Sequence, residues 1–260
     1  MTESSVRRDL VRYSQAMYTA GWVANHDGNL SARIADDRLV LTPTGMSKAD
    51  VTLDDLVVVD AEGRKRAGRR RPFSELGLHR VVYQARSDVM AVVHAHPPFA
   101  TAFGVVGQTL PHPFLPEAVV SLGPKIPTVP LSMPGEAAEA ALRPYVMRCD
   151  AVLLAGNGVL TWGPNLELAY LRLELVEHLA RIASAAQRVG DINPLPSDMV
   201  QALLAKRQKA GLCAPEEIGQ SRDLEARAMA KVMNSVGGAD AKLTRSLVAE
   251  ITRSIRDEVS

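Results

Sequence analysis

Cysteine and aromatic residues are scarce in this sequence. Cys149 and Cys213 are the only cysteines, and neither belongs to a CxxC pair, which argues against a disulfide framework and against a thiolate zinc cluster. Aromatic residues make up 4% of the chain, so the core has to be built from Val, Leu, Ala and Ile. Two unpaired thiols predict a reducing, cytoplasmic location.

The sequence also lacks an excess of either charge and any long apolar run. Thirty basic residues face 29 acidic ones, so no overall field attracts nucleic acid or an anionic membrane. No stretch approaches the roughly 18 apolar residues of a membrane span, and the first residues are charged where a signal peptide would be apolar. The arginine-rich run between Arg64 and Arg71 has no interleaved aromatics and is predicted to be a solvated hairpin loop. We therefore expect a small-molecule substrate, no nucleic acid and no membrane.

Apolar spacing predicts an α/β protein. Val6, Leu10, Tyr13 and Met17 recur at helical intervals, and Asn165 is a plausible N-cap for a long helix that extends to about residue 188. Further helices are predicted over 75–85, 98–106 and 135–143, the last ended by Pro144, and strands over 30–34, 38–42, 56–59, 89–93, 126–131 and 151–154. A Gly- and Pro-rich linker precedes charged amphipathic patterns near the end of the chain. The predicted domains are residues 1–210 and a helical C-terminal extension, residues 211–260.

The most specific local signal is His94-Ala95-His96, directly after the apolar run 89–93. Residues two apart on an extended chain project to the same side, so the two imidazoles could hold one metal ion. The alternative is two ordinary loop histidines.

Three other signals, one of them a pair of turns, place polar residues beside apolar ones. Glu75 follows Ser74 in the first turn of a predicted helix, where a carboxylate could move a proton or simply compensate the helix dipole. Two short turns, Gly28-Asn29 and Thr44-Gly45, could bind an anion through backbone amides and hydroxyls. The turn around Asn157, between two glycines, follows a buried strand.

Together, and in their order along the chain, these segments resemble the class II aldolase/adducin family, over roughly residues 6–208. The resemblance implies a three-layer α/β/α fold with a central mixed, largely antiparallel sheet. It also implies a homo-oligomer, commonly a tetramer, with active sites at subunit interfaces.

The resemblance also assigns roles to single residues. It implies that Glu75 is the acid/base carboxylate and that His94 and His96 are metal ligands. Glu117 stands at about the interval where some members place another acid/base residue, often at a subunit boundary. A substrate phosphate would be held by five residues, Gly28, Asn29, Thr44, Gly45 and Ser74.

Two positions depart from the family pattern. Asn157 occupies the place of the third metal histidine, and Phe73 replaces the usual paired serine, which leaves a carboxylated substrate open beside a phosphorylated one. An amide is a weaker ligand than imidazole, so the expected ion is divalent, Zn²⁺ first, with Mn, Fe, Co and Mg open. Glu75 could complete the coordination instead.

The predicted function is a metal-dependent carbon–carbon lyase of the aldolase type, acting through an enediolate on a small sugar-like substrate. The same site chemistry serves a related epimerase, decarboxylase or dehydratase. The missing third histidine also leaves open a non-catalytic, adducin-like assembly protein.

Overall fold

An eight-stranded sheet runs through residues 2–111 and 113–217, the part of the chain that the computed structural model describes. The strand order is β4-β3-β2-β1-β5-β8-β7-β6, and every neighbouring pair is antiparallel except β6 and β7. The strands are β1 Asn29–Ala35, β2 Arg38–Leu41, β3 Val57–Asp60, β4 Lys65–Ala67, β5 Ala91–Ala95, β6 Thr128–Val129, β7 Ala151–Leu154 and β8 Val159–Gly163.

Helices cover both faces of this sheet. They are α1 Glu3–Thr19, α2 Leu76–Ala85, α3 Pro98–Val105, α4 Pro116–Leu122, α5 Glu136–Val146, α6 Leu166–Ala186 and α7 Ser197–Lys209. Alternation along β5 sends Ala91, Val93 and Ala95 into one core with α1, α3 and α6, and Val92 into a second core with α2 and α5. The predicted three-layer fold with a mixed, largely antiparallel sheet is confirmed.

Local sequence signals explain where two of the helices begin. The Thr2 side chain accepts a hydrogen bond from Ser5 N at 3.3 Å at the start of α1, and Asn165 Oδ1 accepts one from Leu168 N at 2.7 Å at the start of α6. Each side chain satisfies a backbone N–H that has no partner within its own helix. The predicted cap at Asn165 is thus confirmed.

Two sequence predictions are wrong in detail. Pro144 lies inside α5 rather than ending it, because a proline near the C-terminus removes only one helical hydrogen bond and buried Val146 anchors the last turn. The arginine-rich run is not entirely a loop, since Lys65–Ala67 forms the edge strand β4. Charged side chains are common on edge strands, where they oppose pairing with another chain.

Strand β8 was missing from the sequence prediction, and β6 is shorter than predicted. Val159–Gly163 returns from the glycine-flanked turn at Asn157 and pairs with both β5 and β7. That turn is therefore the turn of a hairpin, a consequence of two glycines flanking a polar residue between apolar runs.

A buried ionic cluster joins β7 to three helical segments. The Asp150 carboxylate, 1% exposed, contacts Arg86 at 3.1 Å, Arg172 at 2.8 Å and Arg207 at 3.4 Å. Arg207 belongs to α7, and its guanidinium also donates to Val120 O and Ser121 O. This cluster ties α7 to the same compact unit as the sheet, a unit that extends through Ala214.

Among residues 2–111 and 113–217, no helix combines the length and apolar character needed to cross a bilayer. Most of the predicted C-terminal extension, residues 218–260, lies outside the described residues.

Candidate metal centre and active site

His94 sits near the end of β5 with its imidazole fully buried. Its Nδ1 lies 2.9 Å from Val159 O, and since a carbonyl can only accept, Nδ1 carries the proton. The opposite ring nitrogen, Nε2, therefore presents a lone pair. Burial lowers the pKa of His94 below its ordinary value, despite the opposing effect of Glu75, which keeps the ring in the neutral form that binds metal.

His96 follows just after the strand, and its Nδ1 atom also lies next to an acceptor. Its backbone N–H donates to Trp22 O at 3.0 Å, and its Nδ1 lies 3.2 Å from Asp27 Oδ2. A carboxylate acceptor again places the proton on Nδ1. The Nε2 atoms of His94 and His96 consequently face each other at 3.2 Å, each with a lone pair.

Glu75 completes this cluster of electron-pair donors. Its Oε2 lies 3.3 Å from His94 Nε2 and accepts from Asn29 Nδ2 at 2.8 Å, while Oε1 accepts from Asn157 Nδ2 at 2.6 Å. Burial alone would raise the pKa of Glu75, but its interaction with His94 and the hydrogen bonds from Asn157 and Asn29 outweigh that effect and lower the pKa to about 2. Glu75 is therefore ionised at neutral pH.

Glu75 was predicted in the first turn of a helix, but the structure places it at the N-cap of α2, one residue before the helix begins, and its side chain makes no capping hydrogen bond. It points towards the histidines instead. The sequence left open a role for Glu75 in compensating the helix dipole. Its hydrogen bonds with Asn29 and Asn157 do not serve that role.

These donors fit a divalent cation. The two imidazole lone pairs face each other and a carboxylate oxygen lies beside His94, while both Nδ1 atoms are held by acceptors, which is the usual outer-shell arrangement of metal-binding histidines. No set of three or more His, Cys, Asp and Glu side chains within residues 2–111 and 113–217 forms a complete metal site. The two histidines are thus the core of the candidate site, with Glu75 beside them.

Asn157 is placed as a hydrogen-bond donor to Glu75. Its turn comes close to the histidines because Gly158 has a φ of +75°, and a Cβ there would lie 2.7 Å from His96 Cδ2 and would overlap Ala95 O. The structure therefore gives Asn157 a function at the site that the sequence did not suggest. Metal ligation by Asn157 stays a prediction.

Three of the predicted site residues, Ser74, Glu75 and Asn157, line a cavity of about 650 Å³. Apolar residues, including Leu131 and Met133, also line this cavity. Ser74 is exposed, so its hydroxyl is available to a ligand in this cavity.

The other predicted phosphate-binding residues do not line this cavity. The turn at Thr44 and Gly45 is joined to the segment before Ser74, because Thr44 N donates to Arg71 O at 3.0 Å. Gly28 has a φ of +68° and packs against His94 O, where a Cβ would lie 3.1 Å from that oxygen. The amide of Asn29 is already used by Glu75.

Phe73 turns its ring away from the cavity. The side chain is 7% exposed and packs against the His79 ring at a centroid distance of 4.9 Å, within the core shared with α2 and α5. The replacement of serine removes a hydroxyl without adding an apolar group to the cavity.

Glu117 lies apart from the histidine cluster. It is in the first turn of α4 and lines a separate cavity of about 610 Å³, with Trp22, Arg172 and His178 among its other residues. The described chain does not bring it to Glu75, so its catalytic role stays a prediction that requires another subunit.

Sequence reasoning missed Asp27 as a functional residue. The available signal was an acidic residue within the turn that contains Gly28 and Asn29, but only the fold shows that it faces His96. It also missed the buried hydrogen bonds of His79 Nδ1 and Tyr83 OH with Ser31 Oγ, at 2.7 and 2.9 Å, behind Glu75.

Comparisons with known proteins point to one family. The family profile of the Class II Aldolase and Adducin N-terminal domain matches residues 8–184. A 5-methylthioribulose-1-phosphate/5-deoxyribulose-1-phosphate aldolase of Rhodospirillum rubrum is 32% identical over 209 residues, covering 80% of this chain and 93% of the relative. A 3-oxo-tetronate 4-phosphate decarboxylase of Haemophilus influenzae is 30% identical over 187 residues, covering 70% and 88% respectively.

A solved structure of L-fuculose 1-phosphate aldolase superimposes with a TM-score of 0.73 at 27% identity, covering 80% of this chain and 98% of that one. The fold, the order of the site segments and the relatives all agree with the resemblance seen in the sequence. The chain belongs to the class II aldolase and adducin family.

Proposed function

We propose that this protein is a metal-dependent lyase that cleaves a carbon–carbon bond in a small phosphorylated sugar-like substrate. The observation that supports this most directly is the convergence of His94 Nε2, His96 Nε2 and Glu75 Oε2, with both Nδ1 atoms held by acceptors. Two imidazole lone pairs that face each other, with a carboxylate oxygen 3.3 Å from one of them, favour a cation beside them.

The protein's own residues prepare this site for proton transfer. A divalent metal held by His94 and His96, when bound, supplies Lewis-acid stabilisation of negative charge on the substrate. Glu75 is held as a carboxylate by Asn29 and Asn157, which makes it a proton acceptor at neutral pH and a proton donor in the return step. We propose that ionised Glu75, rather than Asn157, would be the third side chain to hold the metal.

A phosphorylated substrate is supported by three observations. Ser74 offers a hydroxyl to the cavity that Glu75 lines, and Phe73 is buried away from it. The aldolase and decarboxylase relatives are both named for phosphorylated substrates. We propose that the phosphate binds next to Ser74, at the side of the turn that contains Thr44 and Gly45.

Further parts of the proposal are Zn²⁺ as the resident metal, a cytoplasmic location and a homotetramer. An oligomer would supply the means to bring a Glu117 from a neighbouring subunit to the site. Light scattering on the purified protein gives the subunit number directly.

The first experiment is elemental analysis of protein purified without chelator or added metal. We expect near-stoichiometric divalent metal, lost in a His94→Ala, His96→Ala variant and retained in His178→Ala, an exposed histidine that serves as the matched control. Absence of metal in the wild-type protein, even after reconstitution, would favour a non-catalytic assembly protein instead.

The second experiment identifies the reaction. Retro-aldol cleavage of a ketose 1-phosphate between C3 and C4 releases dihydroxyacetone phosphate, which a coupled NADH assay detects, whereas a decarboxylase acting on a 3-oxo acid releases CO₂. We expect metal-dependent release of dihydroxyacetone phosphate from 5-deoxyribulose 1-phosphate. CO₂ release from a phosphorylated 3-oxo acid alone would favour the decarboxylase, which the Haemophilus influenzae relative makes the second candidate.

A further inference from the structure

A buried lysine lies beneath the turn that positions His96. Lys48 is 1% exposed, and its Nζ donates to Met46 O at 3.1 Å and to His26 O at 3.4 Å. Among the described residues, no carboxylate lies within ion-pair distance of this ammonium group. Burial lowers the pKa of Lys48, while the nearby charge of Asp27 opposes that change. Burying an ammonium group that is not directly paired with a carboxylate is costly, so its position calls for a reason.

The turn above Lys48 is tightly constrained. Asn25 has a φ of 49° and Gly28 a φ of 68°, so the chain reverses sharply on both sides of His26 and Asp27. Asp27 uses one carboxylate oxygen to accept from Ala24 N and the other to face His96 Nδ1 at 3.2 Å. The orientation of His96 therefore depends on the shape of this turn.

We propose that Lys48 and Asp27 act together as positioning residues for His96 and thereby set the affinity of the site for divalent metal. Asp27 keeps the proton on His96 Nδ1, so that Nε2 directs its lone pair towards His94. Lys48 fixes the same turn from below through His26 O, and its positive charge holds the Asp27 carboxylate in place. This inference rests on the metal site proposed above.

Two substitutions remove the two contributions separately. An asparagine at position 27 has one acceptor oxygen for two donors, Ala24 N and His96 Nδ1, so Asp27→Asn must lose one of these hydrogen bonds. Lys48→Met keeps a long unbranched side chain but removes the charge and all three donors. Lys125→Met, an exposed lysine, is the matched control.

The test is the affinity of the metal-stripped, full-length protein for Co²⁺ alone, measured by competition with a chromophoric chelator, with the cobalt absorption spectrum as a second readout. Loss of an outer-shell partner weakens metal binding by about 10–100-fold. We expect a weakening of about 10-fold for each single variant and none for Lys125→Met. Because the two residues act on one histidine, the double variant should be weakened by less than the product of the single effects.

Each outcome distinguishes the two proposals. If the wild-type protein binds no Co²⁺, the metal site itself is wrong. If the wild-type protein binds and a folded Lys48→Met variant has the same affinity but a lower melting temperature, Lys48 is only structural and the inference is overturned. If Lys48→Met does not fold, Asp27→Asn decides alone, because this turn is partly exposed, and an unchanged affinity there overturns the inference as well.

Discussion

The close approach of Gly158 to His96 yields a stability prediction with an internal control. An alanine at Gly158 would adopt a φ of +75° and would place its Cβ 2.7 Å from His96 Cδ2 and 3.0 Å from His96 Cα, besides overlapping Ala95 O. Gly107 has a similar φ of +68°, but nothing lies within 4 Å of a Cβ built there. The two substitutions therefore share the backbone strain and differ in the steric overlap.

The expected magnitudes follow from that difference. Left-handed backbone costs an L-residue roughly 1–2 kcal/mol, which applies at both positions, as does the entropy that alanine removes from the unfolded chain. Overlap with backbone atoms that cannot move away adds about 1–3 kcal/mol at Gly158 alone. Gly158→Ala should thus lower the free energy of unfolding by about 1–3 kcal/mol more than Gly107→Ala.

Urea denaturation of both variants measures this difference. Because the overlap involves His96 itself, Gly158→Ala should also weaken Co²⁺ binding, whereas Gly107→Ala should leave it unchanged. Equal losses of stability in the two variants, or intact metal binding in a folded Gly158→Ala protein, would refute the reasoning.

Three further predictions rest on single side chains. Asp150→Leu leaves three buried guanidinium groups without their shared carboxylate and should cost about 3–5 kcal/mol of unfolding free energy in urea. Glu75→Gln should reduce turnover at least about 10²-fold in the dihydroxyacetone phosphate assay without changing the circular dichroism spectrum. The hydrogen bond from Thr52 lowers the pKa of Asp55, with Arg70 adding to it and burial opposing it. The stability that this carboxylate adds is therefore present above its unfolded-state pKa, about 3.9, and lost as pH falls through the lower folded-state value. Asp55→Asn should flatten the acid side of the stability profile, and Asp54→Asn, at an exposed position, should not.

Local patterns in the sequence were enough to predict most elements. The N-cap at Asn165 needs only its own side chain and the next turn of backbone, and the spacing of Val6, Leu10, Tyr13 and Met17 reflects one face of one helix. Pro144 was misjudged because tertiary burial of Val146 outweighs a single missing hydrogen bond. Strand β8 was missed because a short apolar run acquires its structure from the strands on either side.

The sequence by itself determined the site's chemical groups. Two histidines at a spacing of two, at the end of a predicted strand, are expected to project to the same side, and their order with Glu75 and the glycine turns indicates the family. Only the tertiary structure decided what each group does. Asn157 donates to Glu75 and Asp27 faces His96 because segments far apart in the chain meet at the end of β5. Such contacts depend on strand pairing and turn geometry across the whole sheet, which no local pattern encodes.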